Sequence, residues 1–261
     1  ETLESAINLN GIAVANNLTA FRWGRQLIAD EASVYQAAGL ADVESEPETL
    51  EDIIAFRETF LTDYQDMALA VRYRQLVDQA VTAESRLSGQ AGEFSEAVAR
   101  GYFKLLAYKD EYEVARLLSH PVFLQSLTDR FEGKAKMHLH LAPPFLAHPG
   151  NASGKRRFGS WILPALRLLS RFKGLRGTVL DVFGYQQERR DERALIADYE
   201  KNIAALVSDL AEQNIVTAIA IAELPLAIRG YGHVKQQSMT EAQTRLDELL
   251  QEFTDPKKEA A

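Results

Sequence analysis

The chain has 261 residues, a formal net charge of −8 and no cysteine. Its hydrophobic content of 46% suffices for a buried core, and its length allows one large domain or two modest ones. Without cysteine, the chain itself can form no disulfide, zinc–thiolate site or cysteine-ligated iron–sulfur cluster. The most apolar stretch, residues 215–228, is interrupted by Glu223 and Pro225 and is shorter than the roughly 20 residues that cross a bilayer. We therefore expect a cytoplasmic protein with no membrane partner.

Basic residues are concentrated in one segment of this acidic chain. Residues 133–180 contain nine Lys or Arg and no Asp or Glu, so the remainder of the chain carries a charge of −17. A local basic field in an acidic protein favours a particular anion or an acidic partner over general polyanion binding. Nucleic acid is an unfavoured partner because the whole chain is acidic and contains no recognisable nucleic-acid-reading motif.

Apolar spacing predicts helices in the first half of the chain. The first thirty residues have apolar positions three, four and seven apart, which predict two short helices. One long helix is predicted from Pro47 to about Leu87, and a turn follows at residues 88–92. Residues 103–118 trace one further helical face, which a proline ends.

The basic segment departs from the helical pattern. Residues 136–144 alternate in hydrophobicity and predict a short strand with His138 and His140 on one face. No Cys or carboxylate in the segment completes a metal-ligand set around this pair, so we expect partly buried, hydrogen-bonded histidines and no metal site. A loop rich in Gly, Pro and Asn follows and is predicted to present the next three basic residues at an exposed tip.

Helical spacing returns after this loop. Helices are predicted over residues 161–172 and 186–210, with an irregular stretch containing three glycines between them. Two more helices are predicted, one ending near Ile228 and one over residues 240–253. The sequence therefore predicts a mainly α fold, a multi-helix domain with one irregular, basic loop and short-strand segment.

A charged patch at residues 109–116 can satisfy its own charges. Lys109 and Glu113 are four residues apart, and Glu113 and Arg116 are three apart, so one helix face brings them together. We interpret this patch as ordinary surface ion pairs.

A second charged patch, at residues 187–193, cannot satisfy itself in this way. Arg189 faces Arg193 at the four-residue spacing, and Glu188 faces Glu192, so like charges repel. Two sources of partners are open. One is a tertiary salt-bridge network with the basic loop or with the turn at residues 229–235, and the other is an anionic ligand held by the guanidinium groups.

No motif identifies a catalytic residue. The glycine-flanked loop before Lys155 lacks both the spacing and the Ser or Thr of a phosphate-binding P-loop. The candidate residues for binding an anion or a partner come from the basic segment, from the second charged patch and from the turn at residues 229–235: Lys155, Arg156, Arg157, Arg176, Arg189, Arg193, Arg229, His233 and Lys235.

Five strings also carry a resemblance: KDEYEVAR, HLHLAPP, KRRFGSW, LRGTVLDVFGYQQERRDERALIADYE and IRGYGHVK. In this order they resemble the C-terminal region of the fused indolepyruvate ferredoxin oxidoreductases. The opening string INLNGIAVANNLTAFRWGR resembles the end of the gamma-type domain that precedes this region. The resemblance extends from about Ile7 to Phe253. It implies that residues 1–30 are the C-terminal tail of the upstream domain and that residues 31–261 are a helical C-terminal domain.

The resemblance implies a larger, homo-oligomeric enzyme. Such an enzyme oxidatively decarboxylates arylpyruvates to acyl-coenzyme A, using thiamine diphosphate with Mg²⁺, and passes electrons through iron–sulfur clusters to ferredoxin. This chain has no Gly-Asp-Gly segment followed by Asn for the magnesium diphosphate, and no cysteine for a cluster. We expect it to be inactive alone, to bind no cofactor itself, and to have the remaining catalytic domains as its partners.

Three roles for this region are open. It could bind the phosphates of coenzyme A through Lys155, Arg156, Arg157 and Arg176, dock ferredoxin, or clamp neighbouring domains, and we favour the clamp. An alternative from another class is a free-standing, non-enzymatic helical interaction module.

Overall fold

A computed structural model describes five stretches of the chain: residues 2–39, 49–130, 136–141, 156–230 and 232–255. The chain divides into two compact units, residues 1–48 (unit 1) and residues 49–261 (unit 2). In the described stretches, twelve α-helices and one two-stranded antiparallel sheet confirm the predicted mainly α fold. No helix within these stretches combines the length and hydropathy needed to cross a membrane.

Unit 1 consists of α1 (Thr2–Asn10), α2 (Val14–Ala29) and α3 (Glu31–Ala38). The two short helices predicted in the first thirty residues are confirmed. Asp30 begins α3, because its carboxylate accepts a hydrogen bond from the backbone N–H of Ser33 at 3.1 Å, and α3 packs against α2. The compact units thus divide later than the boundary expected after residue 30. The assignment of residues 1–30 to an upstream domain stays a prediction.

Unit 2 contains the remaining helices and the sheet: α4 (Leu50–Tyr64), α5 (Met67–Ser88), α6 (Glu93–Leu106), α7 (Glu111–Ser119), α8 (Pro121–Arg130), β1 (His138–Leu141), β2 (Arg156–Gly159), α9 (Leu163–Ser170), α10 (Gln187–Asp209), α11 (Ile215–Ala227) and α12 (His233–Thr254). Short 3-10 helices precede and follow α9, at Ser160–Ile162 and Arg171–Leu175. The predicted turn after α5 and the irregular stretch before α10 are confirmed, whereas α12 begins earlier than the predicted residue 240.

Two predicted helices are each divided by an aspartate. Asp66 begins α5 by accepting a hydrogen bond from the backbone N–H of Leu69 at 2.9 Å. Asp110 begins α7 in the same way, with a 2.8 Å bond from the N–H of Glu113. Such a side chain satisfies an amide at a new helix start and so competes with continuation of the preceding helix. The single helices predicted from Pro47 to Leu87 and over residues 103–118 are therefore wrong, and Pro47 itself lies outside the described residues.

The main core of unit 2 lies between α4, α5, α6, α10, α11 and α12, and tyrosines fill much of it. The rings of Tyr73, Tyr102 and Tyr199 stack in a row, with centroids 5.9 and 5.8 Å apart. The Tyr199 hydroxyl donates to the carbonyl of Ala222 at 3.0 Å, which joins α10 to α11. These buried phenols are tolerated because each hydroxyl finds a partner while the ring contributes apolar contact.

The sheet packs on a smaller cluster beside this core. Leu139 of β1 lies opposite Phe158 of β2 and packs with Leu166 of α9. His138 and His140 share the other face of β1, as the alternation predicts, but both are exposed. The expectation of partly buried histidines is therefore wrong. Successive side chains of a strand point to opposite faces, and the face opposite Leu139 is exposed to solvent.

A buried glutamate closes the N-terminus of α6. Gly92 precedes this helix and offers no side chain to cap it, and the carboxylate of Glu84 accepts hydrogen bonds from the backbone N–H groups of Gly92, Phe94 and Ser95 at 2.8, 3.0 and 2.9 Å. The Ser95 hydroxyl donates to the same carboxylate. Glu84 thus supplies from α5 the cap that the local sequence lacks.

We expect Glu84→Gln to lower the free energy of unfolding by about 2 kcal/mol, because an amide offers one acceptor oxygen and turns an NH₂ group towards backbone donors. The measurement is urea unfolding of the 261-residue chain. The matched control is Glu93→Gln, which removes an exposed glutamate from the first turn of the same helix. Equal losses in both variants would contradict the capping role of Glu84.

Candidate functional site

A buried ion pair ties the irregular segment before α10 to the start of α7. Arg176 donates through Nε and Nη2 to the two carboxylate oxygens of Asp110 at 2.6 and 2.9 Å, and through Nη1 to the Tyr64 carbonyl. The guanidinium carbon lies 3.7 Å from the centroid of the Tyr64 ring, and both charged side chains are 3% exposed. Arg176 therefore has no free face for a ligand, which corrects its interpretation as an anion-binding residue.

A second carboxylate shapes the same segment. Asp181 is buried and accepts hydrogen bonds from the backbone N–H groups of Gly177, Phe183 and Gly184, at 2.9 to 3.2 Å, and from the Tyr112 hydroxyl. Gly177 adopts a positive φ of 72°, which favours glycine. The irregular path is thus held by specific internal bonds even though it forms no regular helix.

Two of the like charges of α10, Arg189 and Glu192, find partners inside the protein, whereas Glu188 is exposed. Glu192 is buried, and its Oε2 accepts from Nη1 of Arg189 at 2.5 Å while its Oε1 accepts from Nζ of Lys235. Nε of Arg189 also lies 3.6 Å from Oε2 of Glu111. Burial raises the pKa of Glu111, and the nearby guanidinium of Arg189 offsets part of that rise. The salt bridge from Lys235 to Glu192 agrees with the first of the two alternatives, a tertiary network that reaches from α10 to residues 229–235.

Arg193 extends this network towards the irregular segment. Its Nη2 donates to the carbonyl of Gly184 at 2.6 Å, and a Cβ added at Gly184 would lie 2.6 Å from Oδ2 of Asp181. A larger residue there would displace the Asp181 carboxylate, so this position favours glycine. Nη1 of Arg193 is buried and has no hydrogen-bond partner among the described residues.

A pocket of about 390 Å³ opens beside the charge network, between α6, α10, α11 and the start of α12. Its described charged lining is Lys104, Lys109, Arg229, Lys235 and Glu192. The one carboxylate among them already binds Lys235 and Arg189. The volume is typical of small-molecule pockets, and the lining carries an excess of positive charge.

The positive charges of this pocket repel one another. Nζ of Lys104 donates to the carbonyl of Leu226 at 2.9 Å. Burial lowers the pKa of Lys104, and the nearby charges of Arg229 and Lys235 lower it further. Lys104, Lys109 and Arg229 form no salt bridge with any carboxylate in the described stretches. An anion in the pocket would relieve this repulsion.

The opposite wall of the pocket is apolar. A smaller cavity of about 50 Å³ adjoins it, and four residues line both spaces: Leu105, Leu195, Pro225 and Ile228. The two spaces together offer a cationic end and an apolar end, which suits a ligand with the same two chemical parts.

The candidate residues from the sequence occupy several different places. Arg229 and Lys235 line the pocket, and Arg189 and Arg193 belong to the internal network beside it. Arg156 and Arg157 are exposed on β2 and do not line this pocket. Lys155 and the side chain of His233 lie outside the described residues.

Two pocket cations were missed by sequence reasoning. Lys104 lies near the end of α6 and Lys109 in the following loop, and only packing brings them to the start of α12. The ion pair expected between Lys109 and Glu113 is not formed. Glu113 is buried and binds Arg116 at 2.8 Å, whereas Lys109 is exposed beside the pocket. The Asp110-x-x-Glu113 pattern was a readable signal for the helix start between them.

Comparison with known proteins gives a family but no named relative. The chain matches the model of a family of unknown function, DUF6537, over residues 50–248. No curated protein and no solved structure matches the chain. The matched range includes the sheet, the buried charge network and the pocket. Because this range covers most of the sequence, the chain belongs to the DUF6537 family.

Proposed function

We propose that this chain is the C-terminal region of an arylpyruvate:ferredoxin oxidoreductase of the indolepyruvate type, where it docks and holds neighbouring domains and takes no direct part in the chemistry. The observation that carries the proposal is apolar surface that stays exposed among the described residues. In unit 1, Leu3, Leu9, Ile12 and Ile28 are between 64% and 91% exposed. Amphipathic helices with such exposed positions are stabilised by covering from another protein surface.

Unit 2 also has exposed apolar side chains, in the irregular segment before α10. The side chains of Val179, Leu180, Val182 and Tyr185 are between 61% and 85% exposed, while Asp181 between them is buried and anchors the backbone. A held backbone that presents apolar side chains loses little conformational entropy on binding. This arrangement supports a role as a docking surface.

The strings that resemble the oxidoreductases also support the proposal through their placement. Three strings that are distant in sequence meet in the buried charge network. KDEYEVAR contributes Asp110 and Glu111, the long string that begins with LRG contributes Arg176 and Glu192, and IRGYGHVK contributes Lys235. Two others contain the paired strands β1 and β2. Resembling segments that pack together within one structural unit are what shared folding of that unit would produce.

The iron–sulfur clusters of the parent enzyme need cysteine ligands, and this chain has no cysteine. Among the described residues there is no group of three or more His, Cys, Asp or Glu side chains that could hold a metal ion. Under the proposal, the thiamine and cluster sites lie on other parts of the enzyme. This region would contribute assembly and orientation of those parts.

The proposal is tested on protein captured from its native cells with an antibody against this chain. We expect a polypeptide much larger than 29.1 kDa, with the brown colour of iron–sulfur clusters and with bound thiamine diphosphate. A colourless species of 29.1 kDa would overturn the proposal and favour the free-standing helical interaction module. Denaturing electrophoresis, the visible absorption spectrum and a thiamine assay give the three readings.

A further inference from the structure

We propose that the pocket between α6, α10, α11 and the start of α12 binds a small organic phosphate ester, with its phosphate on the lysines and Arg229 and its organic part on the apolar wall. This site does not depend on the docking role proposed above. It is formed within unit 2 and within the range matched by the family model.

Charge is the first argument. The described lining contains four cationic side chains and one carboxylate, and that carboxylate is already bound by Lys235 and by Arg189 behind it. Lys104, Lys109 and Arg229 are left without carboxylate partners in the described stretches. A phosphate ester carries about −1.5 to −2 charges at neutral pH, so one such group offsets about half to two-thirds of the charge of these three cations.

Free donors are the second argument. Lys104 uses one N–H bond for the Leu226 carbonyl, and an ammonium group has three. The guanidinium of Arg229 makes one long bond of 3.5 Å, from Nε to the same carbonyl, so its Nη groups stay available. No hydrogen bond joins the Lys109 side chain to another described residue. Several unused N–H donors around one cavity suit the oxygens of a phosphate.

The backbone beside the pocket adds to this arrangement. Gly230 and Gly232 adopt positive φ values of 92° and 56°, and α12 begins directly after them without a side-chain cap. A Cβ at Gly230 would lie 2.6 Å from Cγ1 of Val234, so the turn is compact. The first amides of α12 therefore lack a competing side-chain acceptor at the edge of a cationic pocket.

Size and the apolar wall restrict the ligand further. A volume of about 390 Å³ lies near the lower end of small-molecule sites and suits a monoester better than a dinucleotide. Leu105, Leu195 and Ile228 form a wall that continues into the adjoining cavity. An apolar group next to the phosphate would bury surface there, whereas inorganic phosphate would leave the wall in contact with water.

The test is calorimetric titration of the 261-residue chain at low salt with phenyl phosphate, inorganic phosphate and benzyl alcohol. We expect saturable binding of phenyl phosphate, weaker binding of inorganic phosphate and no binding of benzyl alcohol. Equal affinity for phenyl phosphate and inorganic phosphate would overturn the assignment of an organic ligand. Absence of saturation by either anion at millimolar concentration would overturn the site.

Two variants locate the binding. Combined Lys109→Gln and Arg229→Gln should weaken phenyl phosphate binding by about tenfold or more, because two charged donors are lost. Lys109→Gln alone removes no described contact and should weaken binding severalfold without changing the unfolding midpoint. The matched control combines Arg86→Gln with Lys201→Gln, two exposed cations outside the pocket. Equal weakening in the control would show binding to general surface charge and would overturn the proposal.

Discussion

Asp110→Ala is expected to lower the free energy of unfolding by about 3 to 5 kcal/mol. The substitution leaves Arg176 buried at 3% exposure without its carboxylate partner, and an unpaired charge in the interior is strongly destabilising. It also removes the cap of α7, because the same carboxylate accepts from the N–H of Glu113. Urea or thermal unfolding of the whole chain measures the loss.

Two further variants separate these contributions. Asp110→Asn keeps a side-chain oxygen for the cap and removes the charge, so we expect most of the loss to persist. Arg176→Met in the Asp110→Ala background removes the unpaired cation and should recover part of the stability. As a control, Asp209→Ala removes an exposed aspartate of α10 and should change stability by less than about 0.5 kcal/mol. A loss in Asp110→Ala no larger than that of a helix cap, about 1 kcal/mol, would contradict the importance of the ion pair.

Gly101→Ala should lower the free energy of unfolding by about 3 kcal/mol, although alanine is the better helix former. A Cβ at this position would lie 2.2 Å from the carbonyl oxygen of Ala222 and 2.9 Å from the Tyr199 hydroxyl. The first of these neighbours is backbone, so α6 and α11 must move apart. That movement would also disturb the hydrogen bond from Tyr199 to Ala222.

The matched control for this prediction is Gly174→Ala. Gly174 lies in the 3-10 helix after α9, and a Cβ there meets no atom within 4 Å. Its replacement should therefore be neutral or slightly stabilising, because alanine lowers the entropy of the unfolded chain. If thermal unfolding gave equal midpoints for the two variants, close packing at Gly101 would be excluded as the cause.

Local patterns in the sequence predict most elements of this fold and miss others. The spacing of apolar residues predicts helices where α1, α2, α4, α5, α7 and α9 to α12 lie, and the alternation at residues 138–141 predicts β1. The same spacing predicted no helix for α3 or α8 and only the end of α6. The breaks before α5 and α7 are missed because apolar residues continue in phase across them. Asp66 and Asp110 end that continuity through single side-chain hydrogen bonds, which periodicity does not register.

One part of the charge network, the partners of the α10 charges, was predictable from the sequence. Repelling pairs on α10 called for partners elsewhere, and the first of the two sources considered was a tertiary salt-bridge network. Lys235, from the turn at residues 229–235, forms such a salt bridge with Glu192. The partner of Arg176 was not predictable in this way. Asp110 lies far from it along the chain, and nothing local distinguishes it from an ordinary helix-capping aspartate.

The sequence by itself determined that the fold is mainly α, where the chain is basic and which cofactor ligands it cannot supply, because these properties depend on neighbouring residues or on composition. Only the tertiary structure decided what each charge does. Arg176, from the basic segment, became an internal structural cation, whereas Lys104 and Lys109, which no motif marked, came to line an open pocket. The physical reason is that the energy of a charge depends on its burial and on partners within a few ångströms, and packing of distant segments sets both.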